Sequence, residues 1–184
     1  LLNRRLVENS ITLVQNQKEV LPIKNLSQNK MAYVKIGKGE GKTFFNRMND
    51  YSKVDLITGS GAAEISKKLQ PYETVIIGFH TSQGAYASYK INDADLKMIE
   101  EIAKNHKVIL NIFASPYSLL KIKSFDDIDG VMVAYQNTAL AQDLAAQMIF
   151  GALDIKGALP VKINDHFPMG YGLQVADVSR LGYY

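Results

Sequence analysis

The 184 residues include no cysteine. Disulfides and thiolate-held metal sites are therefore excluded, and the redox compartment cannot be read. No segment approaches the ~18 consecutive apolar residues of a membrane-spanning helix. An excess of charge is missing too. Lysine and arginine number 21 against 18 aspartates and glutamates, a formal +3, and no run exceeds pairs such as Arg4-Arg5 or Lys67-Lys68. So mild and dispersed a balance does not indicate nucleic acid as a partner. Internal repeats and low-complexity segments are absent as well. What is left, 47% hydrophobic and 21% charged, is the composition of an ordinary globular chain. It is long enough to build a core without staples.

Two nucleotide signatures are nearly present and fail on spacing. After an apolar run comes Gly37-Lys38-Gly39-Glu40-Gly41-Lys42-Thr43. A phosphate-binding loop of the G-x-x-x-x-G-K-T kind needs glycine where Ile36 stands, and the dinucleotide pattern G-x-G-x-x-G would need its third glycine at Lys42. The stretch reads as a flexible strand-to-helix turn. Gly59-Ser60-Gly61 reads in the same way, as a tight turn into a helix N-terminus, with an anion site as the lesser alternative.

The rest of the chain alternates between two periods. Leu2, Leu6 and Val7 follow helical spacing, with Arg4, Arg5 and Glu8 on other faces. A helix already under way at the first residues is expected of an excised fragment, or of a mature chain whose upstream part is missing. Ile11–Val14 and Leu21–Ile23 are short extended pieces around a polar turn. Apolar runs at Met31–Ile36, Lys53–Ile57, Thr74–Phe79, Val108–Phe113 and Gly130–Ala134 have the length of strands, and the third is apolar enough to be buried on both faces. Between them lie helical patterns: a short one across Phe44, Phe45 and Met48, one over Ala62–Leu69, and one with Leu96, Ile99, Ile102 and Ala103 on its stripe, capped by Asn92 or Asp93. Pro116 opens a further short helix. Leu140, Leu144 and Met148 mark the last helix, capped by Asn137 or Thr138 and stopped by Gly151. Strands alternating with helices in this way predict a parallel sheet covered on both faces, a three-layer α/β/α sandwich. An added strand is expected near Val161–Ile163, where Pro160 keeps Leu159 out of the α region.

The last third carries a more specific pattern. A strand and a helix ending in Phe150-Gly151 lead into Gly157-Ala158-Leu159-Pro160-Val161, and then into Gly170-Tyr171-Gly172-Leu173. In order and spacing this resembles the end of the C-terminal domain of family 3 glycoside hydrolases. The likeness extends more loosely to Glu8-Asn9-Ser10-Ile11-Thr12-Leu13-Val14 and Leu21-Pro22-Ile23, so it spans nearly the whole chain. The resemblance implies a flavodoxin-like, mainly parallel sheet in the order 2-1-3-4-5, which right-handed crossovers permit. Residues 1–184 are then one domain of a larger glycosidase, with 1–30 as linker helix and entry segment, 31–163 as sheet core and 164–184 as tail.

The chain has three histidines that could serve a site. His106, at the end of the Asp93 helix, is explained by the helix dipole. His166 follows Asp165, and neighbours in extended chain point to opposite sides. His80 opens the loop at the carboxyl end of the third core strand, beside the topological switch point where such sheets bind ligands. His80, Gln83, Tyr86 and Tyr89 are accordingly the candidate substrate-contact or domain-contact residues. The alternative for that loop is polar decoration with aromatic tips packed on its own helix.

In many β-glucosidases of the resembled family, the loop after the third strand supplies an acid/base glutamate. The loop from His80 to Lys90 has no Asp or Glu. Glycoside hydrolysis needs two carboxyl groups at one bond, so no catalytic residue is assigned within this chain. The departure fits the β-N-acetylhexosaminidase branch, whose nucleophile and acid/base pair lie in an N-terminal barrel. The expected partners are that barrel, on the same polypeptide, and a glycan at the shared cleft. No metal, cofactor, nucleic acid or membrane span is expected. The compartment is left open, with a periplasmic or secreted bacterial parent compatible. The competing reading is a stand-alone flavodoxin-like ligand-binding or signalling module. It would need a phosphate-cradling first loop or an acidic pocket at a strand end.

Overall fold

The computed structural model describes residues 2–82 and 88–176. Six strands form one sheet: β1 (Thr12–Asn16), β2 (Met31–Ile36), β3 (Val54–Leu56), β4 (Thr74–His80), β5 (Lys107–Phe113) and β6 (Gly130–Val133). Their spatial order is β3-β2-β4-β5-β6-β1. The five strands β2 to β6 pair in parallel, and β1 lies antiparallel on β6. Counted from Met31, the parallel core has the expected order 2-1-3-4-5.

The strands β1, β2, β4, β5 and β6 feed two cores because side chains alternate across the sheet. Val75, Ile77 and Phe79 of β4 and Val108, Leu110 and Ile112 of β5 enter one cluster. There they meet Ile65 and Leu69 of α3 (Ala62–Leu69) and Ile99 and Ile102 of α4 (Asp93–Ala103). Ile76, Ile109 and Phe113 point the other way. They pack with Val7 of α1 (Leu2–Ser10), Phe44 and Met48 of α2 (Lys42–Asn49) and Leu144 and Met148 of α5 (Ala139–Ile149). Helices thus cover both faces, which is why β4 is buried along its whole length. Local chemistry sets the helix ends. Asn92 accepts a hydrogen bond from the amide of Asp95, and Thr138 from that of Ala141, so both are N-caps. Gly151 takes the left-handed conformation, φ +73°, just after α5.

One expectation is corrected. Val161–Ile163 is not a strand; the added strand is Thr12–Asn16, from the entry segment. Pro160 has no N–H to give to a ladder, and the amide of Ile163 is spent locally on the carbonyl of Phe167. The 159–167 stretch contributes side chains instead, burying Leu159, Ile163 and Phe167 on the sheet face shared with α3 and α4. The chain then returns across β1, where the amide of Leu173 donates to the carbonyl of Leu13 at 2.7 Å.

That return requires close backbone approach. A Cβ on Gly157 would stand 2.3 Å from the carbonyl oxygen of Ile11 and 2.6 Å from that of Ser10. The carbonyl of Gly157 in turn occupies the space where Gly172 would carry a side chain. Replacing Gly157 by alanine should therefore lower stability by at least about 2 kcal/mol, as steric overlap in a packed interior does. The replacement Gly61→Ala meets nothing within 4 Å and should cost less than about 1 kcal/mol, the scale of a helix-cap change. Chemical denaturation of the two variants checks the contrast.

Candidate functional site

The carboxyl ends of β2, β4 and β6 meet around one buried imidazole. β4 ends in His80, and strand alternation places its side chain on the face of Ile76 and Phe113. The ring is fully buried and stacks on Phe113, with centroids 4.4 Å apart. Asn137 Oδ1 can only accept, so Nδ1–H of His80 donates to it at 2.8 Å. Nε2 is then the acceptor for the Tyr33 hydroxyl at 2.7 Å. Gly41 and Gly78 leave room for this pair, since a Cβ on either would fall within 2.8 Å of Nε2.

The network extends through amides. Gln142 Nε2 donates to Asn137 Oδ1 and to the carbonyl of Glu40. Asn137 Nδ2 donates to the carbonyls of Glu40 and Thr81, and Gln142 Oε1 accepts from the amide of Phe44 in the first turn of α2. The glycine-rich turn is held by its own groups too. The amide of Gly39 donates to the carbonyl of His80, that of Gly37 to Asp95 Oδ2, and Lys35 Nζ to the carbonyls of Gly37 and Gly39. Those backbone donors close loops on one another instead of facing a phosphate.

Electrostatically the cluster is neutral. Desolvation lowers the pKa of His80 to about 4, against the opposing hydrogen bond to Asn137 and with a small contribution from Lys35. Burial pushes the Tyr33 phenol far above its ordinary range. With both ring nitrogens satisfied, His80 acts as a clamp between loops and is not poised to move a proton.

Of the four residues read from the sequence, His80 lies at the expected strand end, with its side chain turned into the interior. Tyr89 is 40% exposed, and its ring lies 6.4 Å from that of Tyr117. Gln83 and Tyr86 lie outside the described residues. Sequence reasoning missed Tyr33 and Gln142 and saw Asn137 only as a possible cap. The signal available was Gly78, two residues before His80 on the same face of a strand that is otherwise apolar.

Two clefts open beside the cluster. One, of about 460 Å³, has Lys38, Lys42, Thr43, Thr81 and Ser82 on its walls. The other, of about 390 Å³, is bounded by Lys38, Lys90, Asn92 and Asp95. Asp126, Asp127 and Asp165 line neither. Among the described residues no group of three or more histidines and carboxylates is placed to hold a metal ion. No helix among them is long and apolar enough to cross a membrane.

This is a doubly wound α/β sandwich whose strand-end loops are cross-braced around an uncharged histidine. Comparisons with protein-family models and with curated proteins each gave no match. Solved structures do match. A fungal multi-domain GH3 β-N-acetylglucosaminidase superposes with a TM-score of 0.71 at 21% identity, over 96% of this chain and 20% of that one. A glycoside hydrolase family 3 β-N-acetylglucosaminidase from Paenibacillus sp. str. FPU-7 gives 0.68 at 18%, over 88% of this chain and 32% of the other. The β-glucosidase of Listeria innocua bound to isofagomine gives 0.69 at 13%, over 95% and 33%. The fold is thus one found within family 3 glycosidases, in line with the resemblance read from the motifs, and the chain spans a fifth to a third of these structures.

The buried imidazole has a consequence for pH. Its folded pKa of about 4 lies below the ~6.5 of an exposed histidine. As pH falls, the unfolded chain therefore binds the proton first. The stabilisation is fully present above about pH 6.5 and is lost between pH 6.5 and 4, by about 3 kcal/mol in all. Urea denaturation across that window should show the decline, and His80→Gln should flatten it. An equal slope in the variant would remove His80 as the cause.

Proposed function

We propose that this chain is an accessory α/β domain of a family 3 glycoside hydrolase of the β-N-acetylhexosaminidase branch. A catalytic barrel outside this chain is its partner. The observation that supports this reading most is coverage: 96% of the chain aligns with only 20% of a multi-domain β-N-acetylglucosaminidase. The absence of Asp and Glu from His80 to Lys90 adds to it, because a proton donor and a second carboxyl group must face one glycosidic bond. The domain buries a face on the barrel and shapes the cleft where a glycan lies. In this reading Tyr86 and Tyr89 supply rings that stack on a sugar or pack on the barrel.

The purified chain is expected to give no turnover above background on an aryl N-acetylglucosaminide or an aryl glucoside. Turnover that disappears on replacing a carboxylate of this chain would overturn the accessory reading. In the barrel-containing enzyme, replacing Tyr86 and Tyr89 by alanine should raise KM or weaken association of the two domains, with the unfolding temperature of this domain unchanged. Kinetics and association both identical to the parent would remove the loop from the contact surface.

A further inference from the structure

Between the last rung of β6 and the start of α5 the chain turns a sharp corner over residues 134–138. The amide of Ala134 still donates to the carbonyl of Ile112, and Thr138 already caps the helix. At the corner Tyr135 adopts φ +65°, and the amide of Gln136 donates to the carbonyl of Ala134 at 2.8 Å. A hydrogen bond from residue i+2 back to residue i around a positive φ is the strained form of the γ-turn. Tyrosine lacks the short polar side chain that lets asparagine occupy that region. Such conformations persist only where their surroundings hold them, and they gather at clamps and switches.

The turn decides where Asn137 faces. Val133 enters the cluster with α3 and α4, and strand alternation carried on unbroken would put Asn137 on that same side. Tyr135 does pack there, as a partly buried ring. Asn137 instead reaches the opposite side, where it accepts from Nδ1–H of His80 at 2.8 Å. The γ-turn makes that change of side.

A side-chain tether holds the turn. The Tyr135 hydroxyl lies 2.7 Å from Oγ1 of Thr12. Thr12 is fully buried, and its own hydroxyl donates at 2.8 Å to the carbonyl of Ser10, the last residue of α1. The single proton of Thr12 is thereby spent, so Tyr135 is the donor between them. An unbroken path then runs from the α1–β1 junction through Thr12, Tyr135 and Asn137 to His80 and Tyr33. Coupling between distant places needs such a contiguous path and an element with two arrangements. The strained turn is that element.

We propose that the 134–138 corner is a latch through which the α1–β1 junction governs the brace at His80. With the tether made, the turn is held, and Asn137 stays docked on His80 and on the carbonyls of Glu40 and Thr81. With Thr12 displaced, the turn relaxes to ordinary backbone, Asn137 leaves its partners, and the loops after β2 and β4 lose their common clasp. The device belongs to this chain alone and does not depend on the accessory-domain reading.

The test is hydrogen exchange by NMR on the isotope-labelled chain. It follows the His80 Nδ1–H proton and the amide of Gly39, which donates to the His80 carbonyl. Tyr135→Phe removes the tether and keeps the ring. It should speed exchange of both protons roughly fivefold to tenfold, the worth of one neutral hydrogen bond. The amides of Ile77 and Leu110, in the centre of the sheet, should change by less than about twofold. Thr12→Val should act alike, and Thr12→Ser should restore the parent rates. The double variant Thr12→Val/Tyr135→Phe should exceed neither single variant by more than about twofold. Unchanged His80 and Gly39 rates in both single variants would overturn the latch. So would equal acceleration of all four protons, the mark of a uniform loss of stability.

Discussion

The hydrogen bonds from Tyr33 through His80 to Asn137 are the constraint on which the carboxyl edge of this molecule depends. A parallel sheet covered on both faces brings its strand ends into the interior, where backbone groups leaving the ladder must still find partners. Here the loops after β2, β4 and β6 satisfy one another. Asn137 and Gln142 reach the carbonyls of Glu40 and Thr81, and Gln142 also caps the first turn of α2 through the amide of Phe44. The cluster stays uncharged, which suits its burial, because a lone charge there would carry a desolvation penalty with no counter-ion to offset it.

The two edges of the sheet differ in how fully their polar groups are used. At the carboxyl edge, the amides of Gly37 and Gly39 and both nitrogens of His80 are committed to the protein itself. At the amino edge, Thr74 and Asn29 keep hydrogen-bonding capacity that nothing in the chain uses. A fold by itself does not assign an activity.

Much of this architecture was legible in the residues. Ala62–Leu69 is a helix over the span its apolar spacing predicts, and Asn92 and Thr138 cap where short polar side chains precede a helical stripe. The 2-1-3-4-5 order of the parallel core also holds. Two features were not legible. Thr12–Asn16 and Val161–Ile163 are both short extended runs, and local pattern cannot say which pairs with the open edge of β6. The direction of His80 was hidden for a related reason. In a strand buried on both faces, neither parity leads to solvent, so a polar residue at its end is equally compatible with a site and with a buried clamp.

Local pattern sufficed for the helices, the parallel strands and the fold class, because periodicities of 3.6 and 2 and capping residues act within a few positions of one another. Apolar runs that stay apolar on both parities also determined that the sheet is sandwiched. Three-dimensional packing settled which strand closes the sheet, that residues as distant as Tyr33, His80 and Asn137 share one neutral network, and that Thr74 Oγ1 and Asn29 Oδ1 are buried without a partner. These are outcomes of long-range packing. A hydrogen bond between residues 47 or 57 positions apart exists only once two cores have placed the strands, and a missing one is visible only when every other neighbour is in position.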